Sequence, residues 1–365
     1  MIDHKHYIPI LKGRQGEYGA LQTMSPTVKE NLTPIIEIPP IPWDHARHRP
    51  AKTMNQHLAK IDSTIEQSWG SDRAAYVDLL WIASERMADG EHPIRHVFGV
   101  ARRKGLQLIP VTGLERDTES QSACRDVLRL DGRGVCLRLQ REDFEDAQDV
   151  RRQVSALVEV LRVAPAETDL VLDLRAVTLQ ETHTLLSQVP TLIMRIPDID
   201  RWRSFTLAAT AFPEDLMGLP PSAASHVPRV KWILWRSLLA GTHPPRLPAF
   251  GDYGVAHVQP SEVDPRLMRP SASIRYTSRE DWLVLKGRNL RDHGFAQFHD
   301  VSRQLLARPE YANPEFSWGD WYINECANRC VRSGNLTTWR KVGTSHHLAF
   351  VTRQIASLRG SGAGP

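Results

Sequence analysis

The chain's 365 residues exceed one minimal domain and suffice for a barrel of about 250 residues plus an extension. Its 46 lysines and arginines against 42 aspartates and glutamates leave a net charge of +4, too mild for nucleic-acid binding by bulk charge. No run reaches the roughly 18 apolar residues that cross a bilayer, Met1–His6 lacks a signal peptide's apolar region, and four cysteines are too few for a disulfide framework, so a soluble protein of the reducing cytosol is expected.

Along the chain, short apolar runs alternate with longer amphipathic stretches. The runs that read as strands are Tyr7–Leu11, Pro34–Ile38, Ala75–Leu80, Gln107–Thr112, Val135–Leu139, Leu170–Leu174, Phe205–Phe212 and Tyr253–Val258. Most are near-continuous apolar runs, the pattern of strands covered on both faces. Asp143–Val163 is the clearest helical stretch, with Val150, Val154, Leu157, Val158 and Leu161 along one face. Thr191–Ile196 lies too close to Phe205 for a crossover helix between them, so it belongs to the helical layer, with Pro190 as a first-turn proline. Strand–helix alternation of this kind predicts a parallel sheet with right-handed crossovers, and eight units close into a (β/α)8 TIM-like barrel. A doubly wound open sheet is the alternative. No GxGxxG or Walker pattern follows any strand, which weakens that option for nucleotide-binding folds.

The pattern changes after Pro260. Ser273–Thr277 and Trp282–Lys286 read as a strand pair, followed by helices at Phe295–Ala307, Gly319–Val331 and His346–Leu358. The expected division is a barrel over 1–260, a C-terminal α+β appendage over 261–358, and a disordered tail over 359–365.

Barrel sites sit at the C-terminal ends of the strands, where the loops converge. Single ionisable residues stand near those ends: Lys12 after the first run, then Glu37, Asp78, Arg138, Asp173 and His257 inside theirs. A lone buried charge is costly, so such groups need a partner, a ligand or water. Read as an active site, Glu37, Asp78 and Asp173 act as acid and base or hold a divalent metal ion, and Lys12, Arg138 and His257 bind an anionic group such as phosphate. Read structurally, the same charges form an ion-pair plug. Carboxylates left unpaired in an open mouth favour the enzyme, and closed salt bridges favour the plug.

Other features carry less. Nothing else in the chain supports a pyridoxal Schiff base on Lys12. Cys326 and Cys330 would share a helix face, but buried small hydrophobes are the better reading. His346-His347 reads as a helix start whose adjacent side chains face apart. Trp318, Trp321, Tyr322 and Trp339 are expected in the core of the C-terminal part rather than stacked on bases. Arg102-Arg103-Lys104 and Arg151-Arg152 read as solvated helix faces.

The opening Tyr7-Ile8-Pro9-Ile10-Leu11-Lys12-Gly13-Arg14, with Gly16-Glu17 and Ala20-Leu21, resembles the start of the phage beta protein family. Pro34-Ile35-Ile36-Glu37, Phe250-Gly251-Asp252-Tyr253 and Ser345-His346-His347 are similar to its later pattern, so the likeness spans nearly the whole chain. The segment Ala209-Thr210-Ala211-Phe212-Pro213 lacks the serine expected before Phe-Pro, leaving Thr210 to supply a hydroxyl. The resemblance implies a phage or mobile-element setting and brings no catalytic mechanism. Two functions follow as expectations: a hydrolase or lyase acting on a phosphate-bearing substrate, or a non-catalytic scaffold for a protein partner in phage–host conflict, such as antiviral defence.

Overall fold

The computed structural model describes residues 2–145, 147–241, 244–259 and 267–358. Eight parallel strands close into a barrel. Around its circumference run Tyr7–Lys12, Ala249–Asp252, Ser204–Thr210, Thr168–Ala176, Val135–Gln140, Leu108–Thr112, Ala75–Asp78 and Ile35–Glu37. Period-2 alternation sorts each strand's side chains. Ile8, Ile10, Ile35, Tyr76, Ile109, Val111, Cys136, Val171, Ala208 and Ala249 fill the interior. Tyr7, Leu11, Ile36, Val77, Leu137, Leu139, Leu172 and Phe250 face the helices.

Seven of the eight expected strands lie where the apolar runs place them. The eighth is Ala249–Asp252, not Tyr253–Val258. Gly254 has φ +63°, a left-handed conformation that ends extended backbone after Tyr253. Gly251, which weakens the strand pattern in sequence, is required there, because a Cβ would meet Ala208 Cβ and Thr206 Cγ2 at 3.0 Å. The long helix after the fifth strand is shorter than expected. A 3-10 turn at Arg141–Phe144 precedes Ala147–Leu161, which buries Val150, Val154, Leu157 and Leu161. Pro190 lies inside the helix Thr182–Arg195 rather than at its start. Leu185, Val189 and Ile193, one turn apart and fully buried, offset the backbone bond that a proline removes.

A three-stranded antiparallel sheet joins Ala223–Pro228, Asp281–Asn289 and Ser271–Thr277 in that order. The last two are the expected pair. Ala223–Pro228 carries no apolar alternation and is half-exposed, so its pattern did not announce an edge strand. The final helix is Leu336–Ser357, begun by an Asn335–Thr338 capping box ten residues before the expected start. It packs on the helix Gln15–Gln22 and on the first barrel strand. Its Leu348, Val351 and Ile355 share a core cluster with Tyr7, Leu11 and Leu21, so it stands as the helix that follows the eighth strand. Residues 260–266 and 359–365, where the expected boundary and tail fall, lie outside the described residues.

Among the C-terminal aromatics, Trp339 is buried and stacks on Phe298 at 4.2 Å between ring centroids. Trp318 is half-buried. Trp321, expected in the core, is 41% exposed, because the core of helix Trp318–Ala327 is made by Ile323 and Cys326 on another face. That helix ends at Ala327, so Cys330 falls beyond it, exposed, and does not share a face with buried Cys326.

Candidate functional site

Strand register builds the barrel mouth. Lys12 pairs in register with Glu37, and Glu37 with Asp78, so three neighbouring strands present three charges at one level. Each points inward, two residues beyond an interior apolar side chain: Ile10, Ile35 and Tyr76. Arg138 and Asp173 follow the interior residues Cys136 and Val171 in the same way. All five are buried.

Arg138 is the hub. Its NH1 donates to Glu37 Oε1 and to Asp78 Oδ2, each at 2.8 Å. Its Nε and NH2 both donate to Asp173 Oδ2, at 3.0 and 2.6 Å. NH2 also reaches Tyr253 Oη at 2.5 Å, and that hydroxyl donates to Asp173 Oδ2 at 2.5 Å. Lys12 Nζ bonds Glu37 Oε2 at 2.5 Å and the Val258 carbonyl. Arg116, from the loop after the fourth strand, donates from NH2 to Asp78 Oδ1 at 2.8 Å. Three cations thus meet three buried carboxylates in a charge-balanced set, and Arg116 Nε also pairs with part-exposed Glu115 Oε1 at 3.4 Å. Burial pulls the Asp78 carboxyl up, but Arg116 and Arg138 outweigh it and hold it below the usual carboxylate range. Burial works against the Arg138 charge, yet Tyr253, Asp173, Glu37 and Asp78 keep that guanidinium more firmly protonated than usual. The Tyr253 hydroxyl is pushed well up, first by burial and then by Asp173 and Glu37, against the pull of Arg138.

The structure therefore brings together Lys12, Glu37, Asp78, Arg138 and Asp173. It does not bring in His257. That residue lies on the turn beyond the eighth strand, half-exposed, with Nδ1 accepting from Gln259 N at 3.3 Å. Two members of the network were missed in sequence. Tyr253 had been absorbed into an expected strand. Arg116 follows a barrel strand, Leu108–Thr112, that carries no charge of its own, and its place just past a strand end was the available signal.

The chemistry of the mouth is that of donors. Every expected catalytic carboxylate accepts from Arg138, and the guanidinium occupies the place between them that a divalent ion would take. No group of three metal-ligating side chains lies together among the described residues. At the Asp78 corner of the mouth, Arg116 NH1, on a residue 8% exposed, and Trp81 Nε1 have no acceptor among the described residues. Trp81 is bound into the same corner, for its ring centroid is 5.7 Å from Lys12 Nζ and its neighbour Leu80 N donates to Asp78 Oδ1 at 2.9 Å.

A family model described as Beta protein matches residues 7–353. The chain belongs to the Beta protein family. No curated protein matches it. Among solved structures, alanine racemase of Clostridium difficile 630 in complex with cycloserine is similar at 10% identity and a TM-score of 0.33. That match covers 76% of this chain and 59% of the racemase chain, so the chain spans less than two thirds of the length of that neighbour.

In this Beta protein family member, Thr210 does hold a mouth loop. Its hydroxyl donates to Ala256 O at 3.3 Å and accepts from Phe212 N at 3.0 Å. His346 and His347, expected at a helix start, lie in the middle of the last helix and are buried. No helix among the described residues is long and apolar enough to cross a membrane.

Proposed function

We propose that the barrel mouth binds the anionic group of a small phosphate-bearing substrate. The observation that carries this reading is Arg116: NH2 is fixed on Asp78 and Nε pairs with Glu115, while NH1, buried in the same mouth, has no acceptor among the described residues. A buried donor without a partner costs free energy that a bound oxyanion returns. Trp81 Nε1 supplies a second donor, and Lys12 stands beside it. In this reading Glu37, Asp78 and Asp173 are positioning residues. They fix Arg138 and Arg116 instead of exchanging protons with substrate. Inorganic phosphate and phosphomonoesters titrated calorimetrically test it. Wild-type protein should bind, and Arg116→Met should bind at least about 10-fold more weakly, the loss of one charge-assisted hydrogen bond. Equal affinity in both would remove the reading.

A second reading has its own support. The charge balance of the network and the pairing of all three carboxylates are what an ion-pair plug requires. In the phage or mobile-element setting implied by the family's resemblance, the barrel is then a cytoplasmic scaffold for a protein partner in antiviral conflict. Phosphate would not bind, and mouth variants would alter stability alone.

A further inference from the structure

A second concentration of unsatisfied donors lies outside the barrel, on the far side of the eighth strand from the mouth. Asp252 and Tyr253 are successive residues of extended chain, so they face opposite sides. Tyr253 enters the mouth, while Asp252 points into the layer between that strand, the helix Val230–Ala240, the strand Asp281–Asn289 and the helix Leu336–Ser357.

Around Asp252 stand two buried cations. Arg229, the N-cap residue of helix Val230–Ala240, and Lys231, in its first turn, are each 1% exposed. Arg229 spends NH1 on Ser278 O at 2.9 Å, Arg279 O at 3.3 Å and Gln354 Oε1 at 2.8 Å. Its Nε and NH2 have no acceptor, and neither has Lys231 Nζ, among the described residues. Trp232 Nε1 and Trp282 Nε1, on two further side chains 1% exposed, are equally unpartnered. The Phe250 ring lies 5.2 Å from Lys231 Nζ, and the Trp232 ring 5.2 Å from the Arg229 guanidinium. These π-faces favour the cations but leave their N–H groups unused.

Asp252 is the natural counter-ion, yet neither cation reaches it. Its Oδ1 accepts from Tyr7 Oη at 2.5 Å and Gly254 N at 3.0 Å, and its Oδ2 from His347 Nε2 at 3.0 Å. Its salt-bridge partner is His347. With His347 neutral, two buried positive charges face one buried negative charge that is already fully engaged. Five donor atoms are left over at the positive end of a helix, and with them one unit of positive charge whenever Lys231 is protonated.

We propose that this cluster of buried donors is a second site, which holds one small oxyanion between Arg229, Lys231, Trp232 and Trp282. The anion supplies the acceptors those donors lack and cancels the excess charge. Its chemistry is that of inorganic phosphate or a carboxylate. Burial otherwise drives the Lys231 ammonium well down from its ordinary pKa, and a bound anion restores the proton.

The inference is independent of the mouth reading, and the test keeps the two apart. Thermal melts are run with and without inorganic phosphate on wild type, Lys231→Met, Lys231→Gln, Arg116→Met and Lys231→Met combined with Arg116→Met; acetate serves as the carboxylate probe. Lys231 Nζ makes no hydrogen bond among the described residues, so its variants should fold. Wild-type melting should rise by on the order of 3 °C at about 10 mM phosphate or acetate; the Lys231 variants should lose this site's share of that rise, Arg116→Met only any share that belongs to the mouth, and Lys231→Met combined with Arg116→Met all of it. Protein purified without either anion, then denatured, should release about one equivalent of oxyanion, against none from Lys231→Met. A rise lost in Arg116→Met and kept in the Lys231 variants assigns the anion to the mouth and overturns the second site. No rise together with no released anion also overturns it, and leaves ordered water as the occupant.

Discussion

His346 and His347 are sequence neighbours that share one threonine. His346 Nε2 donates to the Thr277 carbonyl at 2.8 Å, and His347 Nδ1 accepts from the Thr277 hydroxyl at 2.7 Å. Their other ring nitrogens turn to different aspartates. His346 Nδ1 meets Asp320 Oδ2 at 2.9 Å, on the helix Trp318–Ala327, whereas His347 Nε2 meets Asp252 of the barrel. Successive helical residues point about 100° apart, so a tandem pair can bridge two different surfaces. One helix turn thereby ties the barrel, the three-stranded sheet and the C-terminal helices together.

The hydrogen bonds fix the tautomer of His347. It accepts at Nδ1 from the Thr277 hydroxyl and donates at Nε2 to Asp252, and burial pushes its imidazole down from the ordinary value. Nitrogen-15 NMR of the ring nitrogens should show one protonated nitrogen, Nε2, on His347. Protonation at Nδ1 instead would contradict the assignment.

Removing the hub of the mouth should be felt in stability. Arg138→Met leaves Glu37, Asp78 and Asp173 buried without their shared partner, an expected loss of about 3–5 kcal/mol in urea denaturation. Asp173→Asn should also destabilise, since Asp173 accepts from Arg138 and Tyr253. It is therefore not the innocuous probe of activity that its place in a strand suggests. A change under about 1 kcal/mol in Arg138→Met would mean that the network is loosely held.

Stability should respond to pH on two sides. Asp78 is held below the ordinary carboxylate value of 3.8, so its contribution is present above that pH and is lost as pH falls through its folded pKa. Glu17 behaves oppositely. Burial pushes it up to about 7 against the pull of Arg340, Arg14 and Lys12, and its Oε2 has no partner. Its contribution is complete below 4.5 and is lost as pH rises through about 7. Glu17→Gln should accordingly raise the melting temperature at about pH 8 and leave it nearly unchanged at about pH 5. The reverse order in a pH series of melts would show that Glu17 is charged throughout.

Gly319 marks the closest approach of two helices. A Cβ there would lie 2.3 Å from Val342 O and 3.2 Å from His346 N, both backbone atoms of the last helix. Gly319→Ala should cost about 1–3 kcal/mol and disturb the Asp320–His346 bond. Unchanged melting would show that the helices slide apart freely.

The two tryptophans of the C-terminal part should separate cleanly. Trp339→Ala removes a buried ring stacked on Phe298 and should cost about 3–5 kcal/mol. Trp321→Ala, at an exposed position, should cost under about 1 kcal/mol in the same denaturation assay.

The strand–helix alternation and the apolar runs pointed to a parallel sheet, with a closed barrel favoured over a doubly wound open sheet, because strands covered on both faces must be apolar almost throughout. The same rule made Lys12, Glu37, Asp78, Arg138 and Asp173 conspicuous as charges in apolar surroundings. It misled at the eighth strand, where Gly251 is needed for close packing and Gly254 breaks the more hydrophobic run that follows. What the sequence could not decide was who meets whom. Cross-strand register put Lys12, Glu37 and Asp78 side by side. Folding brought Arg138 within 2.8 Å of Glu37, 101 residues away. The donors that remain open, Arg116 NH1 in the mouth and Arg229 and Lys231 outside it, are defined by acceptors they fail to reach, and that is a property of three-dimensional distance alone.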